Sequence, residues 1–304
     1  MDSTTINRRE FLATGGAAAV AMSMATNPLA FAMPTTFSAS APMALRTISY
    51  NVLACRGYNG GKDGNRAAVA RMRPQIPERI ALELALYKPD IVTFQESPKE
   101  AVVADIAKRM GMHHAYFPGG YPGTVLSRFP IVEQHNCPLD PANGPRQRPR
   151  DLFTRHWGKA VLRTDAGDLV VYTAHLYPGP DGDERRLREV PLMLAAMKDD
   201  MKSGRSMILQ GDLNHTPNAA EYKSWVDAGL QDSYATKGTG QPLTIPSTTP
   251  RTRIDYIWTH GPLSAQLREC RVLFEGNFRT NPDDSMSVAL SDHIPVLAVF
   301  GDPD

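Results

Sequence analysis

Apolar residues along the chain follow two rhythms. Short runs rich in β-branched and aromatic residues predict strands over Arg46–Leu53, Asp90–Gln95, Gly123–Ser127, Lys159–Arg163, Asp168–His175, Ser206–Gly211, Asp255–Thr259 and Ile294–Phe300. Stretches with the three-to-four-residue spacing of an amphipathic helix predict helices over Pro77–Tyr87, Lys99–Met110, Glu184–Lys202 and Ala219–Ala228. In the first of these, Ile80, Leu84 and Tyr87 recur at i, i+4 and i+7 and mark one buried face. The run Asp165-Ala166-Gly167-Asp168 reads as a tight turn, so the strands on either side should pair antiparallel. Helices between other strands require parallel pairing as well. The sum is a mixed α/β sandwich rather than a purely parallel, doubly wound sheet.

The N-terminus breaks this pattern. Arg8 and Arg9 stand directly before a modestly apolar, Ala-rich stretch that contains Gly15 and Gly16 and ends near Ala30-Phe31-Ala32, an A-x-A cleavage pattern. This arrangement resembles a bacterial twin-arginine export signal. The stretch falls short of the roughly 20 strongly apolar residues of a membrane span. Residues 1–32 are therefore expected to be a cleaved signal and 33–44, rich in Ser, Thr, Ala and Pro, a flexible leader. Residues 45–304 are expected to form a single domain, with no repeat or composition break inside it. Such a signal implies the twin-arginine translocase as a partner during export and a periplasmic or secreted protein, monomeric by default.

Charge narrows the function classes modestly. The formal net charge is +1, and removing Asp2, Arg8, Arg9 and Glu10 with the signal leaves it close to zero. A protein that grips duplex DNA indiscriminately usually carries a clear positive excess, so nucleic acid is an admissible substrate that the charge does not favour. Cys55, Cys137 and Cys270 are odd in number and widely spaced, without a zinc-ligand pattern, and read as buried small apolar residues. Two loops, Arg56–Asn65 (Gly-rich) and Pro138–Arg150 (Pro-rich, with Arg146, Arg148 and Arg150), are candidates to face substrate.

The chemistry lies where apolar runs stop. Ile48-Ser49-Tyr50 ends in Asn51, and Ile91–Phe94 runs to Gln95-Glu96. Leu169–Tyr172 leads to His175, and Met207–Leu209 to Gly211-Asp212-Leu213-Asn214. Asp255 precedes Tyr256-Ile257-Trp258, and Asp292-His293 precedes the last strand. A single carboxylate at a strand end is more often a turn former or helix cap. Six such sites with compatible chemistry can converge at one edge of a sheet, where loops form a cleft.

The segments ISYN, DIVTFQE, VLSRFPI, TAHL, GDLN, RIDYIW and SDHIPV, in this order between Arg46 and Phe300, resemble the endonuclease/exonuclease/phosphatase superfamily. GDLN followed by IDYIW and SDH is the most specific part. The resemblance implies a four-layer α/β sandwich, two mixed β-sheets packed face to face with helices outside. It also implies a divalent-metal-dependent phosphoesterase, first of all a phosphodiesterase, that hydrolyses a P–O bond by in-line attack of water.

Roles follow residue by residue from that resemblance. Glu96 would be the principal ligand of a hard cation such as Mg²⁺, with Mn²⁺ or Ca²⁺ as alternatives. Asn51 would support it through its amide oxygen, and Asp292 would complete that region. Asp212 and Asn214 would position the attacking water and bind a phosphate oxygen; two apart, they would point the same way in an extended chain. His293, oriented by Asp255, would act as general base or phosphate contact. His175 would touch the phosphate or assist the leaving oxygen. Whether Asp212 or His293 takes the proton, and whether one metal or two are bound, stays open on these residues. The substrate class is also open among nucleic acid, lipid-derived and small phosphodiesters.

Other conspicuous residues read as structural. Arg128 suggests a salt bridge at a sheet edge, His113 and His114 follow a helix end, and Arg185, Arg186 and Arg188 suggest a solvated helix face. The rival functions are a non-catalytic binding module on the same scaffold and a metal-dependent hydrolase of a non-phosphate bond. Retention of Asn51, Glu96, His175, Asp212, Asn214, Asp255, Asp292 and His293 together argues against the first. Inhibition by phosphate or vanadate separates the second.

Overall fold

Alternation of side chains along the strands decides how the layers stack. The computed structural model describes residues 45–60, 66–136, 152–179, 182–280, 283–284 and 287–301. The expected signal and leader, Cys137 and the loop at 138–150 lie outside these residues, as do 61–65 of the Gly-rich loop. In β7 (Gly167–His175), Leu169 and Val171 enter one core while Val170, Tyr172 and Ala174 enter another. β8 (Ser206–Asp212) repeats this, with Ile208 on one side and Met207 and Leu209 on the other. A sheet apolar on both faces must be covered on both.

One cover is a second sheet. Thirteen strands among the described residues form a seven-stranded and a six-stranded sheet. The seven-stranded sheet has β1 (Leu45–Asn51) at its centre, parallel to β2 (Ile91–Gln95) and antiparallel to β13 (Val296–Phe300). It continues beyond β2 through β4 (Gly123–Ser127) to β3 (His113–Phe117), and beyond β13 through β12 (Leu267–Val272) to β10 (Gly238–Thr239). The six-stranded sheet runs β5 (Ile131–Asn136), β6 (His156–Thr164), β7, β8, β11 (Asp255–His260), β9 (Gln231–Asp232). The β6–β7 pair is antiparallel, as the turn at 165–168 requires, and β7–β8 is parallel.

Helices form the outer layers. α2 (Ile76–Ala85) and α3 (Glu100–Met110) bury Ile80, Leu84, Val103 and Ile106 in the core of the seven-stranded sheet. α4 (Gly182–Lys202) and α5 (Ala220–Asp227) bury Val190, Met193, Met197 and Trp225 against Trp157, Tyr172 and Trp258 of the six-stranded sheet. The four-layer sandwich with two mixed sheets is thus observed. No helix among the described residues is long and apolar enough to cross a membrane.

Several elements differ from the sequence expectation. The first strand stops at Asn51, and Leu53, Ala54 and Cys55 follow with φ of 48, 50 and 54°. This left-handed turn is unusual for residues with a Cβ. It is stapled to the end of β2: Val52 N–H donates to the Gln95 carbonyl at 3.0 Å and Ala54 N–H to the Glu96 carbonyl at 2.7 Å. β6 begins at His156, three residues earlier than expected, because its partner β7 extends to His175. His113 and His114 belong to β3. Short α1 (Arg66–Met72), α6 (Ser233–Lys237) and strands β5, β9, β10 and β12 carry too few periodic apolar residues to be read locally. Arg186 is not on a solvated face; it is 5% exposed and pairs with Glu221 of α5. Cys55 and Cys270 are buried, as expected, and both are free thiols.

The space between the sheets turns polar toward one end. Gln210 of β8 accepts from Thr47 Oγ1 at 2.8 Å and donates to the Ile48 carbonyl and to Thr93 Oγ1, both at 3.1 Å. Gln95 donates to Thr93 at 3.1 Å and to Thr173 at 3.3 Å. Every one of these side chains is fully buried and has a partner, so the network locks one sheet against the other. The candidate site lies just beyond it.

Candidate active site

The register of the six-stranded sheet lines up four chemically active side chains. His156 opens β6, His175 closes β7, Asp212 closes β8 and Asp255 opens β11. His156 pairs with His175, His175 with Asp212, and Asp212 with Asp255. Residues directly opposite one another in a sheet share a face. Parity along β7 and β8 makes this the face toward the other sheet, since His175 is in step with Val171 and Asp212 with Ile208.

The seven-stranded sheet meets this row from across the gap. β1 ends at Asn51, paired with Gln95, and Glu96 follows with φ of 48°. Asn51 Nδ2 donates to Asp212 Oδ2 at 3.0 Å and lies 3.4 Å from Glu96 Oε1, while its Oδ1 accepts the Leu53 N–H at 3.1 Å. One neutral amide therefore holds two carboxylates and the left-handed turn.

His293 arrives from the segment before β13. Its Nδ1 is 2.9 Å from Asp255 Oδ2 and its Nε2 is 3.6 Å from Asp212 Oδ2. His175 Nε2 approaches the same Asp212 oxygen at 3.4 Å. Ser291 donates to the Asn51 carbonyl at 2.7 Å and lies 3.2 Å from Asp292 Oδ1, which ties the Ser291–His293 turn to β1.

Asn214 reaches the site differently from the sequence expectation. Its φ is 52°, so the chain is no longer extended and the two-residue parity does not apply. Its N–H donates to Asp212 Oδ1 at 3.2 Å, and its Nδ2 donates to the Leu176 carbonyl at 3.0 Å. This small Asx-type turn presents Asn214 beside Asp212 and His175.

Burial sets the protonation of the group. It pushes the Asp212 carboxyl up to about 7, opposed by His293 and aided by the Asp255 and Glu96 carboxylates. Burial alone would lower His293, but Asp255 and Asp212 outweigh it and raise the imidazole to about 10. His175 is driven well below the usual histidine range by burial, then by Arg155, His156 and His293 around it, and its Nδ1 has no partner among the described residues.

The donor set suits a hard cation. Glu96, Asp212 and Asp255 bring three carboxylates against the single imidazolium of His293, and Asp255 Oδ1 is buried without a hydrogen-bond partner among the described residues. Asp212, Asp255 and His293 offer ligand atoms within 4.8 Å of one another. Asn51, Glu96 and Asp292, the residues expected around a metal, are outside that tight group, although Asn51 links Glu96 directly to it.

Residues 48–293 match the Endonuclease/Exonuclease/phosphatase family as a whole. The chain belongs to that family. Its fold is shared with a family protein of Bacteroides thetaiotaomicron, at 21% identity over 86% of this chain and 99% of that one, with a TM-score of 0.65. A mannosyl-6-phosphatase of the same organism aligns at 21% identity over 84% of this chain and 98% of its own, TM-score 0.64. Truncated TDP2 of Caenorhabditis elegans aligns at 16% identity over 86% and 99%, TM-score 0.62. No curated protein sequence matches the chain significantly.

Three residues of this family member escaped the sequence reading. The Arg155 guanidinium lies 4.1 Å over the ring of Tyr121, whose centroid is 6.1 Å from that of His175. Arg155 Nε is buried with no hydrogen-bond partner among the described residues, and Tyr121 is 44% exposed. His156 begins the row of facing side chains, its ring centroid 6.3 Å from His175, with Nδ1 on the Tyr121 carbonyl at 3.1 Å. Gly123 makes room for it, since a Cβ there would lie 2.0 Å from the His156 ring. The available signal was Arg155-His156 directly before a strand, but strand pairing was needed to show that His156 stands level with His175.

Proposed function

We propose that this protein is an exported phosphoester hydrolase, acting first of all on a phosphodiester, with a divalent cation at Glu96. The observation that carries the reading is convergence. Asn51, Glu96 and His293 from the seven-stranded sheet and the segment before β13, and His175, Asp212 and Asp255 from the six-stranded sheet, meet at one end of the sandwich, with the Arg155 guanidinium beside His175. Carboxylates able to hold a cation, next to the His293 imidazolium and the Arg155 guanidinium, are what a phosphoester substrate and a divalent ion together require.

Glu96 would hold the cation, with Asn51 and Asp292 in support and Mg²⁺ as the expected ion. Bound there, the ion supplies charge neutralisation for the phosphoryl oxygens and the leaving oxygen. His293, gripped by Asp255 through Nδ1 and facing Asp212 through Nε2, is a fixed cation for a phosphoryl oxygen. This leaves Asp212 to accept the proton of the attacking water. Asn214, held beside Asp212 by the Leu176 carbonyl, would offer its second amide hydrogen to the same region, and neutral His175 serves as a hydrogen-bond partner of the phosphate or leaving oxygen. Arg155 binds a non-bridging oxygen. The same reading takes residues 1–32 as a twin-arginine signal, 33–44 as a leader and the remainder as the catalytic domain, delivered to the periplasm or beyond.

The test is turnover of a panel by the purified chain lacking residues 1–32, with Mg²⁺ and with chelator. The panel holds a generic phosphodiester, a phosphomonoester, duplex DNA and sphingomyelin. Chelator-sensitive, vanadate-inhibited hydrolysis of any member supports the proposal, and the preferred member names the substrate class. Folded protein inactive on all four with Mg²⁺, Mn²⁺ and Ca²⁺ would refute it in favour of a binding module. Turnover insensitive to vanadate would point to a non-phosphate bond.

A further inference from the structure

Two segments deliver the phosphate-facing side chains, and a single helix face holds both. Phe153 lies two residues before Arg155, and Tyr177 lies two residues after His175. On α4, Arg186 and Glu189 are three apart and share one side. Arg186 Nη1 donates to the Tyr177 carbonyl at 2.7 Å, and Nε donates to Glu221 Oε1 of α5 at 2.7 Å. Glu189 Oε1 accepts the Phe153 N–H at 2.6 Å, and the Tyr177 N–H lies near the same carboxylate, whose Oε2 has no hydrogen-bond partner among the described residues. Both side chains are buried, Glu189 almost completely.

The cost of this arrangement argues for a purpose. Burying a carboxylate is unfavourable, the more so with one oxygen unpaired, and here its hydrogen-bond partner is a backbone N–H of a loop segment rather than of a helix or sheet. Phe153 has φ of +50°, a conformation that needs external support in a residue with a Cβ. Gly182 is also adapted to the arrangement. A Cβ there would come within 2.3 Å of Arg186 Nη1 and 3.1 Å of the Tyr177 carbonyl. A carboxylate offers only acceptors, so Oε1 holds the Phe153 N–H while no donor is presented to the nearby Tyr177 N–H.

We propose that Glu189 is a positioning residue, a buried clamp that, together with Arg186, fixes the Phe153 and Tyr177 backbones and thereby sets Arg155 and His175 in the site. The activity arm of this inference rests on the proposed phosphoester chemistry; the structural arm does not. The clamp converts loop segments, which would otherwise sample several geometries, into supports for groups that must sit close to their productive positions. Glu189 acts through these neighbours and touches no substrate itself.

The test combines amide hydrogen exchange with a double-mutant cycle on the metal-loaded protein. Glu189→Ala should speed exchange of the Phe153 and Tyr177 amides by about tenfold or more and lower kcat/KM by about tenfold or more. Glu189→Gln keeps an acceptor for the Phe153 N–H but sets an NH2 donor near Tyr177, so it should restore protection at Phe153 and not at Tyr177; that split serves as the informative result if the alanine form does not fold. Arg155→Ala introduced into the Glu189→Ala background should cost much less than in the parent, because its guanidinium is already misplaced. Unchanged exchange at Phe153 and Tyr177, or full multiplication of the two activity losses, overturns the clamp. Faster exchange with no phosphoester turnover by the parent protein overturns the proposed function instead and supports the clamp.

Discussion

His215, next to Asn214, should make the fold sensitive to acid in a way that one substitution can isolate. Its ring is 2% exposed and stacks on Tyr256 at 4.8 Å between centroids, and its Nε2 accepts the Trp225 Nε1–H at 3.2 Å. Nδ1 therefore carries the proton and faces the Thr216 carbonyl at 3.3 Å. Burial pushes the imidazole from 6.5 down to about 3, partly opposed by that carbonyl. Below pH 6.5 the unfolded chain takes up a proton that the folded chain refuses until about pH 3, so stability is present above 6.5 and is lost as pH falls. At about 1.4 kcal/mol per pH unit, this one group removes roughly 2–3 kcal/mol between pH 7.5 and pH 4.5. Gln in its place can accept from Trp225 through its carbonyl and does not titrate. Urea denaturation of the parent and His215→Gln proteins at both pH values, with chelator, compares them. His215→Gln should cost stability at pH 7.5, and that deficit should shrink or invert at pH 4.5. All other titrating groups cancel in the difference. A deficit that changes by less than about 1 kcal/mol between the two pH values would mean that His215 is not held neutral by burial.

Four further outcomes are expected. Gly123→Ala should destabilise the protein by about 1–3 kcal/mol, because the new Cβ meets the buried His156 ring, which has no free space to enter; an unchanged denaturation midpoint would show that the ring can move. Ala54→Gly should stabilise it by about 0.5–1 kcal/mol, since φ of 50° is strained for alanine and free for glycine; a loss of stability would show that the alanine methyl packs better than that. Glu96→Ala should leave a very low rate that added Mg²⁺ barely changes, and His293→Ala should lower turnover at least tenfold, about 1.4 kcal/mol, with circular dichroism unchanged. Metal-stimulated activity surviving in the first variant, or a smaller loss in the second, would remove that residue from its proposed role.

Local pattern was enough for the layers and for where the chemistry sits along the chain. Strands such as Ile91–Gln95 and Ser206–Asp212, and helices such as Glu100–Met110, announce themselves because burying a strand or helix face demands period-two or period-3.6 spacing. Family segments such as GDLN and SDHIPV likewise marked the ends of strands from which His175, Asp212, Asp255 and His293 project. β12 and the partly exposed β5 escaped, since neither carries a clean alternation; both exist because a neighbouring strand offers unpaired backbone. Pairing also decided what no local pattern encodes. Only register places His156 level with His175, only the meeting of two sheets puts Asn51 against Asp212, and only helix packing turns Arg186 from an apparent surface charge into a buried partner of Glu221. Spacing along one segment is a property of the chain alone, whereas each of these contacts joins residues from separate segments and depends on how whole layers stack.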